Sequence, residues 1–304
     1  MSKQLSTSLL LVRPHHFSYN FENADNTFSQ PDEVLDPEEA LQEFDAVVTV
    51  LQELGLRLVI LEDESLSPDA VFPNNWFTLL PDGSLILYPL KSPARRREVR
   101  QDLPGRLRRA GCRVVAVIDW SDLASDGIYL EGTGSLVLDH VHGKAYTALS
   151  ERTDVGLVRR WADLTGYKPI CFEPVSLAGA DGKKHPIYHT NVMMTIGQGF
   201  ALVCPDAIAD TKQREGVLAQ LSSDGLEIIE LSLDQIKAFA GNMLQVRTPA
   251  GPCLLMSEGA RAILRPKQLA SLARHTVLRA IAIPTIERVG GGSIRCMLGE
   301  IGYK

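Results

Sequence analysis

The sequence predicts an α/β fold in which five similar units close into a ring. Short apolar segments typical of buried strands alternate with segments of helical periodicity, and this alternation indicates an α/β protein. In addition, five polar segments recur along the chain at nearly even intervals. Such regular recurrence is typical of propeller-type repeats.

The helical segments account for the α component. The clearest is 37–55, which has Pro37 in its first turn and Gly55 at its end. Its apolar residues fall at helical spacing: Leu41, Phe44, Val47, Val48, Leu51 and Leu54. The other segments with this periodicity are 96–111, 152–166, 210–225 and 265–276.

The five polar segments account for the repeat, because each precedes or opens a predicted strand. They are "FPNNWFTL" (72–79), "LEGTGSLVL" (130–138), "YHTNVMMTI" (188–196), "AGNMLQV" (240–246) and "GGSIRCML" (291–298). Their starts are separated by 58, 58, 52 and 51 residues. Chance spacing of common Gly and Asn turns is the alternative. In a ring, each unit would deliver one polar segment to a common centre.

Composition excludes several partner classes. The 304 residues are 45% hydrophobic with a formal net charge of −6, so the chain can bury a large core but lacks the positive charge typical of nucleic-acid binding. No stretch approaches the roughly 20 apolar residues of a membrane span. We therefore expect no nucleic-acid or membrane partner. The basic run 94–109 is predicted to be a helix with a solvated basic face.

Five widely spaced cysteines argue against a disulfide framework and favour a reducing cytoplasm. The chain has no CxxC or HExxH motif, so we expect no metal and no organic cofactor. Four thiols lie among apolar residues, where a thiol normally only packs: Cys112, Cys171, Cys204 and Cys253.

Cys296 is the candidate nucleophile. Glycines at 290–292 allow a close backbone approach and could direct amides at an oxyanion, while Arg295 favours the thiolate. A cysteine that packs beside a flexible loop is the alternative.

His189 and Glu131 are the candidate partners of this cysteine. His189 heads an apolar strand within one polar segment, where it could act as general acid or base. Glu131 stands at the mouth of another strand and could orient the histidine. A histidine satisfied at a strand end, and a carboxylate that caps a turn, are the structural alternatives.

The motifs "FPNNW", "EGTGS", "HTN" and "GGGSIRCM", in this order, resemble the guanidine-modifying (pentein) superfamily of arginine deiminases, amidinotransferases and dimethylarginine hydrolases. The resemblance covers nearly the whole chain and implies a five-bladed α/β propeller of ββαβ repeats. We expect residues 1–304 to form a single catalytic domain of this type. The chain looks most similar to the branch of citrulline hydrolases, which "VRP" and "NTFSQ" also resemble.

The resemblance implies that Cys296 is the nucleophile, His189 the general acid/base and Glu131 its acidic partner. Arginine-handling members clamp the guanidinium with aspartates at the positions of Asn75 and Asn191. Two carboxylates suit a cation with five N–H donors, whereas a neutral ureido group is better matched by uncharged amides. Asparagines that merely cap turns are the alternative.

The expected function is hydrolysis of the ureido C–N bond of L-citrulline or a related amino acid to ornithine, ammonia and carbon dioxide. A cation must bind the substrate carboxylate, and Arg13 and Arg295 are the candidates. Polar residues after the first strand could complete that end of the site: Asn20, Asn26 and Gln30.

Two other functions stay open. An arginine deiminase, dihydrolase or amidinotransferase would keep the same cysteine and histidine. A non-catalytic propeller would serve as a binding protein, although the combination of Cys296, His189 and Glu131 speaks against it. The sequence does not decide whether the chain forms a homo-oligomer.

Overall fold

A computed structural model describes residues 4–23, 25–31, 35–179 and 182–303. The predicted α/β class is confirmed, since strands and helices alternate throughout these residues. The strands are β1 (Ser6–Arg13), β2 (Arg57–Glu62), β3 (Phe77–Leu79), β4 (Ser84–Leu87), β5 (Ala116–Asp119), β6 (Leu136–Asp139), β7 (Lys144–Ala148), β8 (Lys168–Phe172), β9 (Ser176–Ala178), β10 (Lys184–Pro186), β11 (Met194–Gly197), β12 (Phe200–Val203), β13 (Glu227–Glu230), β14 (Leu244–Thr248), β15 (Gly251–Ser257), β16 (Val277–Ile281) and β17 (Gly299–Tyr303).

The helices mostly connect the second and third strands of a sheet. They are α1 (Pro37–Glu53), α2 (Pro93–Arg96), α3 (Leu103–Arg109), α4 (Gly132–Ser135), α5 (Val155–Thr165), α6 (Thr211–Ser223), α7 (Leu233–Lys237), α8 (Glu258–Ile263) and α9 (Pro266–Ala273). None of the helices within the described ranges is long and apolar enough to cross a membrane.

Five three-stranded sheets share one pattern, in which an antiparallel pair is joined by a third strand parallel to the middle one. Four of them follow chain order: β3-β4-β5, β6-β7-β8, β11-β12-β13 and β14-β15-β16. The fifth, β17-β1-β2, combines the last strand with the first two. A parallel third strand needs a long crossover, and the intervening helices provide it.

Helix α1 shows why these sequences form the connecting helices. The Asp36 side chain accepts a hydrogen bond from the Glu38 amide at its start, and Gly55 follows its end with a φ of 72°. Its buried face packs against residues of β1, β14 and β15 in one core cluster: Ala40, Phe44, Val47, Val48 and Leu51. The helix therefore fills the space between two neighbouring sheets.

The prediction of a single basic helix over 96–111 is wrong. The structure has two short helices there, α2 and α3, because the intervening residues form turns. Arg95, within the basic run 94–109, is buried rather than solvated. One arginine of this basic run is therefore an interior residue, which the sequence pattern did not reveal.

The five polar segments lie where they were predicted, at the entrances of the strands β3, β6, β11, β14 and β17. These strands contact one another in succession: β17 with β3, β6 with β11, β11 with β14, and β14 with β1 beside β17. Strand β3 is linked to β6 through α4, which contacts both. The entrances are consequently brought close together.

Replacement of Trp161 tests the packing of these connecting helices. Trp161 lies in α5, is fully buried and donates from Nε1 to the Tyr88 hydroxyl at 3.0 Å. Trp161→Ala should destabilise the protein by about 3–5 kcal/mol, measured by chemical denaturation. Leu164→Ala in the same helix removes a half-exposed side chain and should change stability by about 0.5 kcal/mol or less. Equal effects of both variants would contradict the described packing of α5.

Candidate functional site

Cys296 lies in the turn before β17, directly behind three glycines. A Cβ on Gly290 or Gly292 would come within 2.8 or 2.9 Å of the Phe72 ring, and Gly291 has a φ of +63°. Side chains are thus excluded from this backbone for steric reasons. The glycines let the chain that carries the sulfur pass against Phe72, at the edge of a cavity.

Two side-chain amides face the sulfur. Asn242 Nδ2 lies 3.2 Å from Cys296 Sγ, and Asn191 Nδ2 lies 3.5 Å from it. Asn242 Oδ1 accepts from the Arg295 amide at 3.0 Å, so the N–H side of this amide must face the sulfur. Burial raises the pKa of the Cys296 thiol and outweighs these contacts, which lower it. The resting side chain is therefore a thiol at neutral pH.

His189 is oriented by a buried carboxylate. Its Nε2 lies 2.8 Å from Glu131 Oε2, while Glu131 Oε1 accepts from the Lys91 amide at 3.0 Å. Burial opposes ionisation of Glu131, but Arg152 and His189 prevail and lower its pKa below the usual range. The ionised carboxylate therefore accepts a hydrogen bond from the Nε2–H group of His189. Burial lowers the pKa of His189 despite Glu131, which leaves Nδ1 as a free base at neutral pH.

Arg152 supplies the charge that balances Glu131. Its Nη1 lies 3.6 Å from Glu131 Oε2, and its Nη2 donates to Asp25 Oδ1 at 2.8 Å. The guanidinium also stacks over the Tyr188 ring, 4.9 Å from the ring centre. Arg152 thereby holds a buried charge at the cavity wall and retains further N–H donors.

Asn75 is oriented by a second buried arginine. Arg95 Nη1 donates to Asn75 Oδ1 at 2.8 Å, and Glu98 accepts from Arg95 Nε at 2.9 Å and from Nη2 at 3.0 Å. The buried Asn75 Nδ2 atom has no hydrogen-bond partner among the residues that the structure describes. Buried donors are rarely left unpaired in proteins, so this one indicates a place for a ligand.

Asp69 is the carboxylate on the cavity wall. It accepts hydrogen bonds at 2.7 Å from both Asn20 Nδ2 and Asn23 Nδ2. Burial raises its pKa, against the opposing charge of Arg95. Asn23 Oδ1 is buried and has no partner within the described part of the chain, which adds an acceptor to this part of the wall.

These side chains line one cavity, whose empty space of about 260 Å³ includes open solvent. Its lining combines two arginines, one aspartate, three asparagine amides, aromatic rings, the histidine and the cysteine: Asn23, Asn26, Asp69, Phe72, Asn75, Arg95, Arg152, Tyr188, His189, Gly290, Gly291, Gly292 and Cys296. Such a lining suits a small polar molecule that carries both charges and a neutral or weakly charged end.

The structure brings most of the predicted residues together. Cys296, His189, Asn75 and Asn26 line the cavity. Glu131 lies behind His189. Asn191 Nδ2 lies 3.5 Å from the sulfur, but Asn191 lines a neighbouring cavity and not the one that Cys296 lines. Asn26 donates to the carbonyls of Gly290 at 3.4 Å and Gly291 at 3.3 Å, so its amide holds the glycine loop.

Two predicted residues lie elsewhere. The Arg13 side chain pairs with Asp45 at 3.1 Å near the surface. Arg295 donates to the Leu298 carbonyl at 2.8 Å and to Glu300 at 3.0 Å, and it lines a different cavity. Neighbouring residues in a turn point in different directions, so Arg295 faces away from the cavity that Cys296 lines. Neither arginine is placed to bind a ligand beside Cys296, and the assignment of both as carboxylate ligands is corrected accordingly.

The sequence reasoning missed four residues of this site. Asn242 lies in the fourth polar segment, and the regular spacing of those segments could have identified it. Arg95 was assigned to a solvated basic face, while Arg152 and Asp69 lie outside the polar segments. Arg152 and Asp69 have partners that are distant in sequence, and the pair of Arg95 with Glu98 three residues on resembles an ordinary surface helix pair.

A group of potential metal ligands lies among the described residues away from this lining. Asp139, His142 and Asp224 bring ligand atoms within 4.8 Å of one another. Lys144 forms an ion pair with Asp224, and His142 Nδ1 bonds Asp139 Oδ2 at 2.7 Å. Both carboxylates thus already have a protein partner, Lys144 for Asp224 and His142 for Asp139.

The fold is similar to those of enzymes that act on arginine and its derivatives. The apo form of ArgZ, an arginine dihydrolase from the cyanobacterial ornithine–ammonia cycle, matches with a TM-score of 0.75 and 14% identity over 98% of this chain. The match covers 41% of that longer chain. The ArgZ N-terminal domain bound to product matches with a TM-score of 0.74 and 14% identity over 97% of both chains.

A third structure extends the similarity to methylated arginine. Dimethylarginine dimethylaminohydrolase as an adduct with S-methyl-L-thiocitrulline matches with a TM-score of 0.66 and 15% identity over 98% of this chain and 100% of that one. At these identities the likeness shows the fold alone. A search of curated proteins finds no match.

A sequence comparison gives the family. The model of the eukaryotic N,N-dimethylarginine dimethylhydrolase family matches residues 13–303, which is nearly the whole chain. The chain therefore belongs to the N,N-dimethylarginine dimethylhydrolase family and, with it, to the pentein superfamily of guanidine-modifying enzymes.

Proposed function

We propose that this protein is a cysteine-dependent hydrolase that cleaves the ureido C–N bond of L-citrulline or a closely related amino acid. Cys296 is the nucleophile, His189 the general acid/base and Glu131 its orienting carboxylate. Asn75 and Asn191 face the ureido group. We further propose that residues 1–304 form one domain, with the five sheets as blades of a closed propeller around this site.

The partnerless Asn75 Nδ2 is the observation that carries the proposal. This atom is a neutral N–H donor, and Asn75 is one of the residues that line the cavity with Cys296. A ureido group has a carbonyl oxygen that can accept this hydrogen bond, whereas a guanidinium has only donors. Aspartate at this position would present only acceptors to the ureido oxygen, which itself needs a donor.

Covalent catalysis begins with proton transfer from the Cys296 thiol to His189 Nδ1. The sulfur then attacks the ureido carbon, and negative charge develops on the carbonyl oxygen. Asn75 Nδ2 donates to that oxygen. A Cβ on Gly134 would lie 2.5 Å from Asn75 Nδ2 and 2.8 Å from His189 Nδ1, so the donor and the base border the same point.

The tetrahedral intermediate collapses when His189 returns the proton to the departing nitrogen, which leaves as ammonia. The remaining thioester-like carbamoyl adduct on sulfur is hydrolysed by water that His189 activates. This step restores the thiol and releases the carbamate of ornithine, which loses carbon dioxide. One citrulline and one water thus yield ornithine, ammonia and carbon dioxide.

The amino-acid end of the substrate matches the charged groups of the wall. Arg152 has N–H donors beyond those that it gives to Asp25, and a carboxylate is their natural partner. Asp69 and the free Asn23 Oδ1 offer acceptors for the α-ammonium group. We assign Arg152 to the carboxylate in place of Arg13 and Arg295.

An arginine-modifying reaction is the second candidate. The family match and the solved structures support it, because these relatives are named for arginine or dimethylarginine. Such a reaction would use the same cysteine and histidine. It would require the amide oxygens of Asn75 or Asn191 to face the guanidinium instead of their N–H groups.

Product analysis separates the two candidates. Purified protein should convert L-citrulline to ornithine and ammonia, and Cys296→Ala should lower the rate at least about 10³-fold because it removes the nucleophile. Mass spectrometry of the products, with L-arginine and dimethylarginine in parallel reactions, provides the measurement. Citrulline formed from either of those substrates, without turnover of added citrulline, would favour the second candidate.

Substitution of Arg152 tests the carboxylate assignment. Arg152→Gln should raise KM for citrulline about 10- to 100-fold, because a charge-assisted hydrogen bond to the substrate is lost. The decarboxylated analogue of citrulline is the matched control. For that amine, kcat/KM should already be low in the wild type, and Arg152→Gln should lower it much less. An equal loss for both substrates would instead assign Arg152 solely to the support of Glu131.

The reactivity of Cys296 should depend on pH and on Asn242. Because the thiol pKa is raised, the rate of alkylation by iodoacetamide should increase as pH rises through that raised pKa. Asn242→Ala removes a hydrogen bond to the thiolate and should shift the midpoint upward by about 1–2 pH units.

Asn191→Ala is the comparison, and it should produce a smaller shift because its amide lies further from the sulfur. Labelling of Cys296→Ala identifies the modified residue, and melting curves verify that the variants remain folded. A midpoint that does not move in Asn242→Ala would contradict the role of this amide.

A further inference from the structure

The direction in which Asn75 presents its amide decides which substrate group it can bind. With Nδ2 towards the cavity it can donate to a ureido oxygen. With Oδ1 towards the cavity it could accept from a guanidinium. The two orientations have nearly the same shape, so the surrounding residues must select one of them.

Arg95 makes this selection. Its Nη1 lies 2.8 Å from Asn75 Oδ1, and a guanidinium carries donors only. If the amide were reversed, two N–H groups would face each other in a buried site, which is unfavourable because neither would have an acceptor. Arg95 therefore forces the oxygen towards itself and leaves Nδ2 for the ligand.

Arg95 is itself locked in place. Glu98 accepts two of its hydrogen bonds, at 2.9 and 3.0 Å, and the Phe72 carbonyl accepts a third from Nη2 at 3.1 Å. Ser67 Oγ donates to Glu98 Oε1 at 2.6 Å. Arg95, Glu98 and Ser67 are all buried. The Arg95–Glu98 pair therefore forms a fixed support behind Asn75.

We propose that Arg95, held by Glu98, is a positioning residue that makes the site select a ureido over a guanidinium group by fixing the amide of Asn75 as a donor. This inference rests on the proposed function. It adds that selectivity resides in a buried ion pair behind the amide, as well as in the amide itself.

A charge-neutral substitution tests this role. Arg95→Met combined with Glu98→Gln removes one positive and one negative charge, so the net charge near the cavity is unchanged. Asn75 can then turn either way. The ratio of kcat/KM for citrulline to kcat/KM for arginine should fall about 10-fold or more, the equivalent of about 1.4 kcal/mol.

The same pair of substitutions in an Asn75→Ala background is the matched control. Alanine has no amide to orient and adds no charge, so removal of the Arg95–Glu98 pair has no donor left to release. The ratio should therefore change less than about twofold. Arg95→Lys, which keeps a charged donor, should preserve most of the wild-type ratio.

A constant ratio would overturn the inference. Citrulline and arginine share the same α-carboxylate, so an Arg95 that binds this carboxylate would lower both rates equally. An equal change of the ratio with Asn75 intact and in the Asn75→Ala background would likewise assign the effect to charge. Melting curves check folding, and Glu98→Gln alone provides a milder variant that should lower the ratio in the same direction.

Failure of the proposed function would be seen separately. If the wild type does not hydrolyse citrulline, the function is wrong. Calorimetric binding of L-citrulline and L-arginine to Cys296→Ala proteins, with and without the substituted pair, then decides the inference. The inference is supported if the ratio of the two Kd values changes when Arg95 and Glu98 are substituted. It is overturned if this ratio stays the same, or if neither amino acid binds.

Discussion

The whole site depends on compensation of one buried charge. Glu131 is fully buried, and a carboxylate without partners in such a place would cost several kcal/mol. In place of water, the carboxylate is stabilised by three protein groups. His189 and the Lys91 amide donate hydrogen bonds to it, and Arg152 provides an opposite charge. Because these partners come from separate polar segments and loops, the need to pair Glu131 draws the segments together. The same pairing sets the histidine tautomer, so the stability of the centre and its chemistry share one set of contacts.

The second constraint is that backbone and amide groups must approach closely in this centre. Gly132 has a φ of +46°, and a Cβ there would lie 2.4 Å from the Asn74 carbonyl. A Cβ on Gly241 would lie 2.4 Å from the Val192 carbonyl. Each of these contacts joins two polar segments, so the glycines in the sequence mark places where one unit of the fold touches the next.

The positions of the site residues in these segments determine which of them could be predicted from the sequence. Cys296, His189 and Glu131 stand in recurring polar segments at strand entrances, so periodicity along the chain singled them out as candidates. Arg95 and Arg152 could not be singled out in this way. Arg95 pairs with Glu98 at a spacing that surface helices share, and the partners of Arg152 are distant in sequence. Arg13 and Arg295 were predicted wrongly for the complementary reason. Proximity in sequence to a strand or to the cysteine does not determine where a long side chain points.

Strand β17 begins three residues after Cys296 and pairs with β1, with Leu9 opposite Glu300 and Leu10 opposite Gly299. The cysteine is thus anchored by a contact between segments at opposite ends of the described chain. Contacts of such long sequence separation carry a large loop-closure entropy and tend to form slowly. Cys296 is then fixed in place only when β17 has paired with β1. A partly folded chain that already contains the other four sheets would hold His189 and Glu131 without a positioned sulfur.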